Sequence, residues 1–157
     1  MTRTVEFAYS RTFPAGVKRA FEEVLPLELS RLFDQRYAAI PSIKGVRGQD
    51  GAWGTPGQTR TVLLNGGGSM HERLVEVIPA KRYTYHLDQV TGPMKALVRS
   101  VDGAWEFERA GTGVRITWRW TLHPRGRVGE LAMPLFARMW QGYARQAFEN
   151  IERLLVH

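Results

Sequence analysis

Arg60, Glu72, Tyr85 and Tyr143 are the residues whose types and spacing could move a proton or hold a polar group. Arg60 and Glu72 lie on either side of the glycines in LNGGGSMHERL, which separate two segments of alternating polar and apolar character. A turn centred near Gly66 sets Arg60 opposite Glu72, Val62 opposite Met70 and Leu64 opposite Gly68. Arg60, Val62, Leu64, Met70, Glu72 and Leu74 then share one largely apolar face. A guanidinium and a carboxylate on such a face would orient a polar group of a ligand, because burying an ion pair gains little stability. The alternative is a solvated cross-strand pair, since a slip of one residue in register exchanges the two faces. In a catalytic version Glu72, Tyr85 or Tyr143 transfers the proton, and Arg60 holds a carboxylate or an enolate. On the ligand-orienting reading, Arg60→Ala weakens binding far more than it lowers the melting temperature.

Other chemistries lack their required patterns. A phosphate cradle needs its glycines between a strand and a helix, usually followed by Lys and Ser or Thr, whereas GGG here precedes the strand-like SMHERLVEV. A hairpin turn is the expected use of these glycines. His71, His86, His123 and His157 form no HxH, HxxxH or HExxH spacing, so neither a metal nor a cofactor is expected. His71 and Glu72 are strand neighbours and point to opposite faces, which argues against an acid/base pair. His86 likewise faces away from Tyr85, and both histidines are expected at the surface. No serine sits in GxSxG beside a base, and with no cysteine there is no thiol nucleophile, disulfide or thiolate zinc site.

The elements that position these residues follow from periodicity. TVEFAYSRTF alternates as a half-buried strand, with Pro14 ending it and able to open a helix. AGVKRAFEEVL has apolar residues at helical spacing; Pro26 breaks it, and LELSRLF forms a second short helix. Ile40 to Gly57, rich in glycine and proline, reads as a short strand and an exposed loop. QTRTVLL, SMHERLVEVI, KRYTYHLDQV, MKALVRSVDGAWEFERA and GVRITWRWTLH follow as strands. The last alternates most cleanly, Val114, Ile116, Trp118, Trp120 and Leu122 against Arg115, Thr117, Arg119, Thr121 and His123. MPLFARMWQGYARQAFENIERLLVH then predicts a helix of about 24 residues, or about 36 Å, with Pro134 near its start. Successive hairpins imply an antiparallel sheet, and this helix is the element large enough to cover it.

The aromatic residues are unusually numerous for a helix on a sheet. Trp105 and Phe107, Trp118 and Trp120, and Tyr83, Tyr85 and Leu87 alternate along three strands, while Phe136, Met139, Trp140 and Tyr143 stripe the helix. Each ring is ordinary core material. Together they are candidates for the wall of a pocket in which Tyr85, Tyr143 and the indole N–H groups supply the polar contacts.

Composition limits the remaining choices. The 157 residues, 43% hydrophobic and 24% charged, suit one globular domain spanning 1–157. The first residues lack the apolar run of a signal peptide, and no stretch approaches a membrane span of about 18 residues, so a cytoplasmic protein without membrane insertion is expected. A net charge of +7 attracts nucleic acid and anionic lipid, yet the arginines are scattered, and no specific nucleic-acid partner is expected. Monomer and homodimer remain open.

The element order, with GQTR, HERLVEV, AWEFERAGTGVRITW and the terminal amphipathic helix, resembles the helix-grip superfamily of START lipid-transfer domains, the birch pollen allergen and plant hormone receptors. The resemblance runs from Thr4 to Leu155 and is closest to the bacterial SRPBCC branch labelled polyketide cyclase/dehydrase-like. It implies an α+β helix-grip fold: a curved antiparallel seven-stranded sheet around a long C-terminal helix, two short helices after strand 1, and a cavity between sheet and helix. GAWGTPG resembles the glycine-rich loop after the second strand. NGGGS occupies the place of the hormone receptors' gate loop without their gate residues.

The fold hosts carriers and enzymes alike. Three functions follow as expectations. The first is a carrier of a hydrophobic or aromatic small molecule, lipid or polyketide-like, held by Arg60, Val62, Met70, Glu72, Leu74, Tyr85, Trp105, Phe107, Trp118, Trp120, Phe136, Met139, Trp140 and Tyr143. The second is a cyclase or dehydratase using Glu72, Tyr85 or Tyr143, and the third a basic module for nucleic acid or anionic membrane.

Overall fold

A computed structural model describes residues 3–156; His157 lies outside the described residues. The chain runs β1 (Val5–Phe13), α1 (Val17–Val24), α2 (Leu29–Leu32), β2 (Ile43–Arg47), β3 (Thr59–Leu64), β4 (Gly68–Ile78), β5 (Arg82–Thr91), a 3₁₀ turn (Pro93–Ala96), β6 (Val98–Ala110), β7 (Gly113–Pro124) and α3 (Gly126–Leu155). The strands form one antiparallel sheet in the order β1-β7-β6-β5-β4-β3-β2, so hairpins connect β2 through β7 and β1 closes the far edge. This is the helix-grip arrangement, with two short helices after strand 1 and the long helix last.

Residues at matched positions stand side by side on one face of an antiparallel sheet. Three rows of the inner face follow. Arg60, Glu72, Leu87, Val101, Leu122 and Val5 form one. Leu74, Tyr85, Gly103, Trp120 and Phe7 form the next, and Val77, Tyr83, Trp105, Trp118 and Tyr9 the third. Register shifts at Ser69/His71 and Leu74/Glu76 break the pairing of β4 with β5 and bend the sheet there. The second leaves the apolar Val75 48% exposed.

The helix α3 covers the inner face through ring contacts. Trp140 lies 4.6 Å from Trp118 and 5.4 Å from Phe7, and Phe148 lies 5.8 Å from Trp105, centroid to centroid. Such pairs each contribute about 0.5 to 1.5 kcal/mol beyond their burial.

Three element boundaries differ from the sequence expectation. The helix α3 has 30 residues and begins at Gly126, with Pro134 inside it. Its first turns are seated by the 3₁₀ turn: Arg125 N–H donates to Leu97 O at 2.9 Å, and a Cβ on Gly129 would lie 2.4 Å from that same oxygen. Val128, Leu131 and Leu135 are 64 to 82% exposed in these turns, which hides the amphipathic pattern from the sequence. The stretch Met94–Ala96, read as the start of a strand, belongs to the 3₁₀ turn Pro93–Ala96, entered through Gly92 at φ 80°. Finally, α1 begins at Val17 after an extended Gly16 instead of at Pro14.

Candidate functional site

The register set by the glycine turn brings Arg60 and Glu72 face to face. Gly66 and Gly67 have φ of 92° and 95°, backbone open to glycine at little cost, so the turn between β3 and β4 is a hairpin connection and not the start of a helix. Arg60 pairs with Glu72, Val62 with Met70 and Leu64 with Gly68. The Arg60 Nε–H donates to Glu72 Oε1 at 2.7 Å, and both residues are buried, at 5% and 4% exposure. The solvated alternative for this pair is thereby removed. Burial pushes the Glu72 carboxyl above the ordinary carboxylate range, and the Arg60 guanidinium opposes that rise.

The loop between β2 and β3 completes the surroundings of Arg60. Its Nη1 donates to Gln49 Oε1 at 3.0 Å, and its Cζ sits 3.7 Å from the centroid of Trp53. This loop was expected to be exposed, yet Trp53 is 3% exposed. Gln58 folds the loop inward: its Oε1 accepts the N–H groups of Gly54 and Thr55 at 2.7 and 2.6 Å, while Nε2 donates to the carbonyls of Asp50 and Ala52. Gln58→Ala is expected to cost about 1 to 3 kcal/mol, because it strips partners from several backbone groups at once. Hydrogen exchange should show amides 54 and 55 exchanging faster than in the wild type; unchanged exchange would show that the loop holds itself.

Arg60, Glu72 and Trp53 line a cavity of about 70 Å³ between the sheet, the α1–α2 segment and Tyr143 of α3. Arg60 and Glu72 are the charged residues of a lining that is otherwise mainly aliphatic and aromatic. Its volume is well below the roughly 300 to 1,000 Å³ of a drug-sized pocket, since Trp105, Trp118, Trp120 and Tyr85 project into the space.

Of the expected site residues, Arg60, Val62, Met70, Glu72, Tyr85, Trp105, Trp118, Trp120 and Tyr143 meet at this cavity. Leu74, Phe107, Phe136, Met139 and Trp140 do not. Leu74 shares the inner face and is fully buried without lining the cavity; Phe107 packs on Phe21 of α1 at 5.2 Å, and Phe136 on Phe7 at 5.8 Å. Trp140 is wholly buried against Trp118, and Met139 lies partly buried against the core. Tyr83 and Leu87, named with the aromatic strands as candidates for the pocket wall, also line it, whereas Trp53, Phe33 and Met94 were among those that sequence reasoning missed. A lone tryptophan in a glycine-rich loop was the one signal that could have found Trp53.

The polar groups are arranged differently from expectation. The indole N–H groups of Trp118 and Trp120 both donate to Tyr85 Oη, at 2.8 and 2.9 Å, and so are not free for a ligand. The Tyr143 hydroxyl donates to the Pro41 carbonyl at 3.0 Å. Burial pushes both phenols far above their ordinary range. The Tyr83 phenol is raised in the same way.

The sequence pattern described as polyketide cyclase/dehydrase and lipid transport matches residues 4–156. The chain belongs to this family. No curated protein matches it significantly. Among solved structures it is similar to Ara h 8.0201, at 18% identity and a TM-score of 0.68, over 98% of this chain and 99% of that one. It is also similar to the major latex-like protein 151 of Panax ginseng, at 12% identity and a TM-score of 0.67 over 98% and 99% of the two chains. A third is TTHA0849 from Thermus thermophilus, at 14% identity and a TM-score of 0.68 over 95% of each. At these identities the likeness establishes the fold. Family and fold together support a hydrophobic ligand-binding role, and no helix among the described residues is long and apolar enough to cross a membrane.

In this polyketide cyclase/dehydrase and lipid transport family member, the outer face of the sheet carries a separate polar ladder. Asp102 accepts from His86 Nδ1 at 2.7 Å and from His123 Nε2 at 2.9 Å, and Asp88 lies 3.3 Å from His71 Nδ1. Partial burial alone would raise the Asp102 carboxyl, but the hydrogen bonds from His86 and His123 together outweigh it and hold the carboxyl below its usual range. With the folded value below the unfolded 3.8, this stabilisation is present above pH 3.8 and is lost as pH falls through the folded value. Asp102→Asn is expected to flatten the acid limb of a melting-temperature profile below about pH 4. An identical limb in the variant would place the acid sensitivity elsewhere.

Proposed function

We propose that the protein binds a small hydrophobic or aromatic molecule, lipid or polyketide-like, in the cavity between the sheet, the α1–α2 segment and α3. The observation carrying this reading is an aromatic cavity containing one buried, mutually neutralising Arg60–Glu72 pair, together with family membership. A core built for stability alone gains little from such a pair. As a polar pair set among apolar walls it would orient a ligand that is mostly apolar. Native mass spectrometry of the gently purified protein should reveal a co-purifying small molecule, or binding from a panel of fatty acids and aromatic polyketides. A protein that is empty and binds no member of the panel would count against the reading.

One observation favours an acid/base enzyme as the second reading: the Glu72 carboxyl is raised by burial and borders the cavity, as a proton-transfer group should. Tyr85 would then hydrogen-bond the substrate, while Tyr143 is held by Pro41 and is the weakest of the three candidates. Turnover of a poly-β-ketone substrate should fall by at least about a hundredfold in Glu72→Gln, the usual contribution of a general acid or base. Rates unchanged from the wild type in both Glu72→Gln and Tyr85→Phe would remove the mechanism.

A further inference from the structure

The second inner row contains a device that the binding proposal leaves unused. Tyr85 in β5, Gly103 in β6 and Trp120 in β7 stand abreast. Gly103 has no side chain, so the Tyr85 ring lies flat across β6; a Cβ on Gly103 would fall 2.1 Å from Tyr85 Cζ and 2.5 Å from its oxygen. Having crossed β6, the hydroxyl reaches both indoles of β7, and Trp118 and Trp120 donate to it at 2.8 and 2.9 Å. These two donors occupy the acceptor side of the oxygen. The hydroxyl keeps its own proton, and among the described residues no group accepts it. Tyr85 is 7% exposed and borders the cavity, where an occupant would be placed to accept that proton.

We propose that Tyr85 is a donor-only selector, which admits small, flat, uncharged molecules bearing a carbonyl and rejects those that present an O–H or N–H group at that point. The inference rests on the cavity being the binding site and deepens it by naming the ligand class. Three physical features support it. Two donors pulling on one oxygen polarise its O–H bond and strengthen it as a donor. A ligand O–H aimed at the same oxygen finds its acceptor side already taken, and burying an unpaired donor costs about 1 to 3 kcal/mol. The charges bordering the cavity, Arg60 and Glu72, neutralise each other, which favours an uncharged ligand.

The test uses two probes of nearly equal shape, acetophenone and α-methylstyrene, which differ by C=O in place of C=CH₂. Binding is followed on the wild-type protein by the indole N–H signals of the tryptophans in ¹H–¹⁵N NMR. Acetophenone should bind about tenfold tighter, the value of one buried hydrogen bond. With the carbonyl labelled with ¹³C, its bound resonance should lie downfield of its value in a hydrocarbon solvent, as for a hydrogen-bonded carbonyl. Tyr85→Phe should bind both probes alike. Equal affinities in the wild type, a bound carbonyl resonance at its hydrocarbon-solvent value, or an undiminished ketone preference in Tyr85→Phe would each overturn the selector while leaving the cavity as a binding site. The carbonyl resonance in the wild type decides the matter even if Tyr85→Phe is poorly folded. Binding of neither probe would overturn the selector, and the panel of fatty acids and aromatic polyketides would then decide separately whether the cavity binds a ligand.

Discussion

Arg60→Met is expected to destabilise the protein by about 3 to 5 kcal/mol, because it leaves the buried Glu72 carboxylate without its counter-charge. For a chain of this size that corresponds to a fall of roughly 6 to 20 °C in melting temperature. The double variant Arg60→Met/Glu72→Leu removes both charges and should recover most of the loss, since desolvating the pair offsets much of its Coulombic gain. Urea denaturation of the wild type, both single variants and the double variant closes the cycle. A cost below about 1 kcal/mol for Arg60→Met would mean that the pair is solvated after all, as exposed pairs are. The pH dependence has a definite sign. The folded carboxyl titrates above its unfolded value of 4.5, so the folded state holds the proton longer, and stability falls as pH rises from 4.5 through the folded value. Glu72→Gln should abolish that slope. The same burial revises the expectation for Arg60→Ala, which must now lower the melting temperature as well as weaken binding. A loss of binding in that variant therefore identifies a ligand contact only if it is measured well below the variant's melting point.

Gly103→Ala should be similarly severe. The added methyl would overlap the Tyr85 ring, with contacts of 2.1 to 2.5 Å, and the neighbouring strands β5 and β7 leave the ring nowhere else on the inner row. Moving it breaks both indole hydrogen bonds, so overpacking of about 1 to 3 kcal/mol adds to about 1 to 3 kcal/mol for each orphaned N–H. A total of at least about 3 kcal/mol is expected from these terms. Calorimetry measures the loss, and the Trp118 and Trp120 indole N–H resonances should move upfield as their bonds to Tyr85 are lost. The companion Gly103→Ala/Tyr85→Ala removes the overlapping ring and should be less destabilised than the sum of its single variants. Strict additivity would mean that ring and methyl never meet.

The two predictions differ in how far the sequence anticipated them. The pairing of Arg60 with Glu72 was readable because a glycine turn and two alternating segments fix register locally, and register decides which side chains stand opposite. Whether that face met water was not readable: it depends on Trp53, brought over Arg60 by a loop whose folding rests on Gln58. Gly103 gave no signal at all. Within VRSVDGAWEFERA it is one small residue in a strand, and its meaning comes from Tyr85 and Trp120 arriving on either side. The start of α3 was lost because Val128, Leu131 and Leu135 face solvent where an amphipathic pattern would place polar residues.

The sequence by itself determined what depends on near neighbours: the periodicity of each element, the turn between β3 and β4, and an inner face rich in aromatic residues. Tertiary structure alone decided what depends on distant strands becoming neighbours: the burial of the ion pair, a cavity of only about 70 Å³, and a tyrosine hydroxyl with its acceptor side filled and its proton free. The physical reason is that alternation and turn chemistry act over a few residues of chain, whereas burial and hydrogen-bond satisfaction depend on everything that packs around a group.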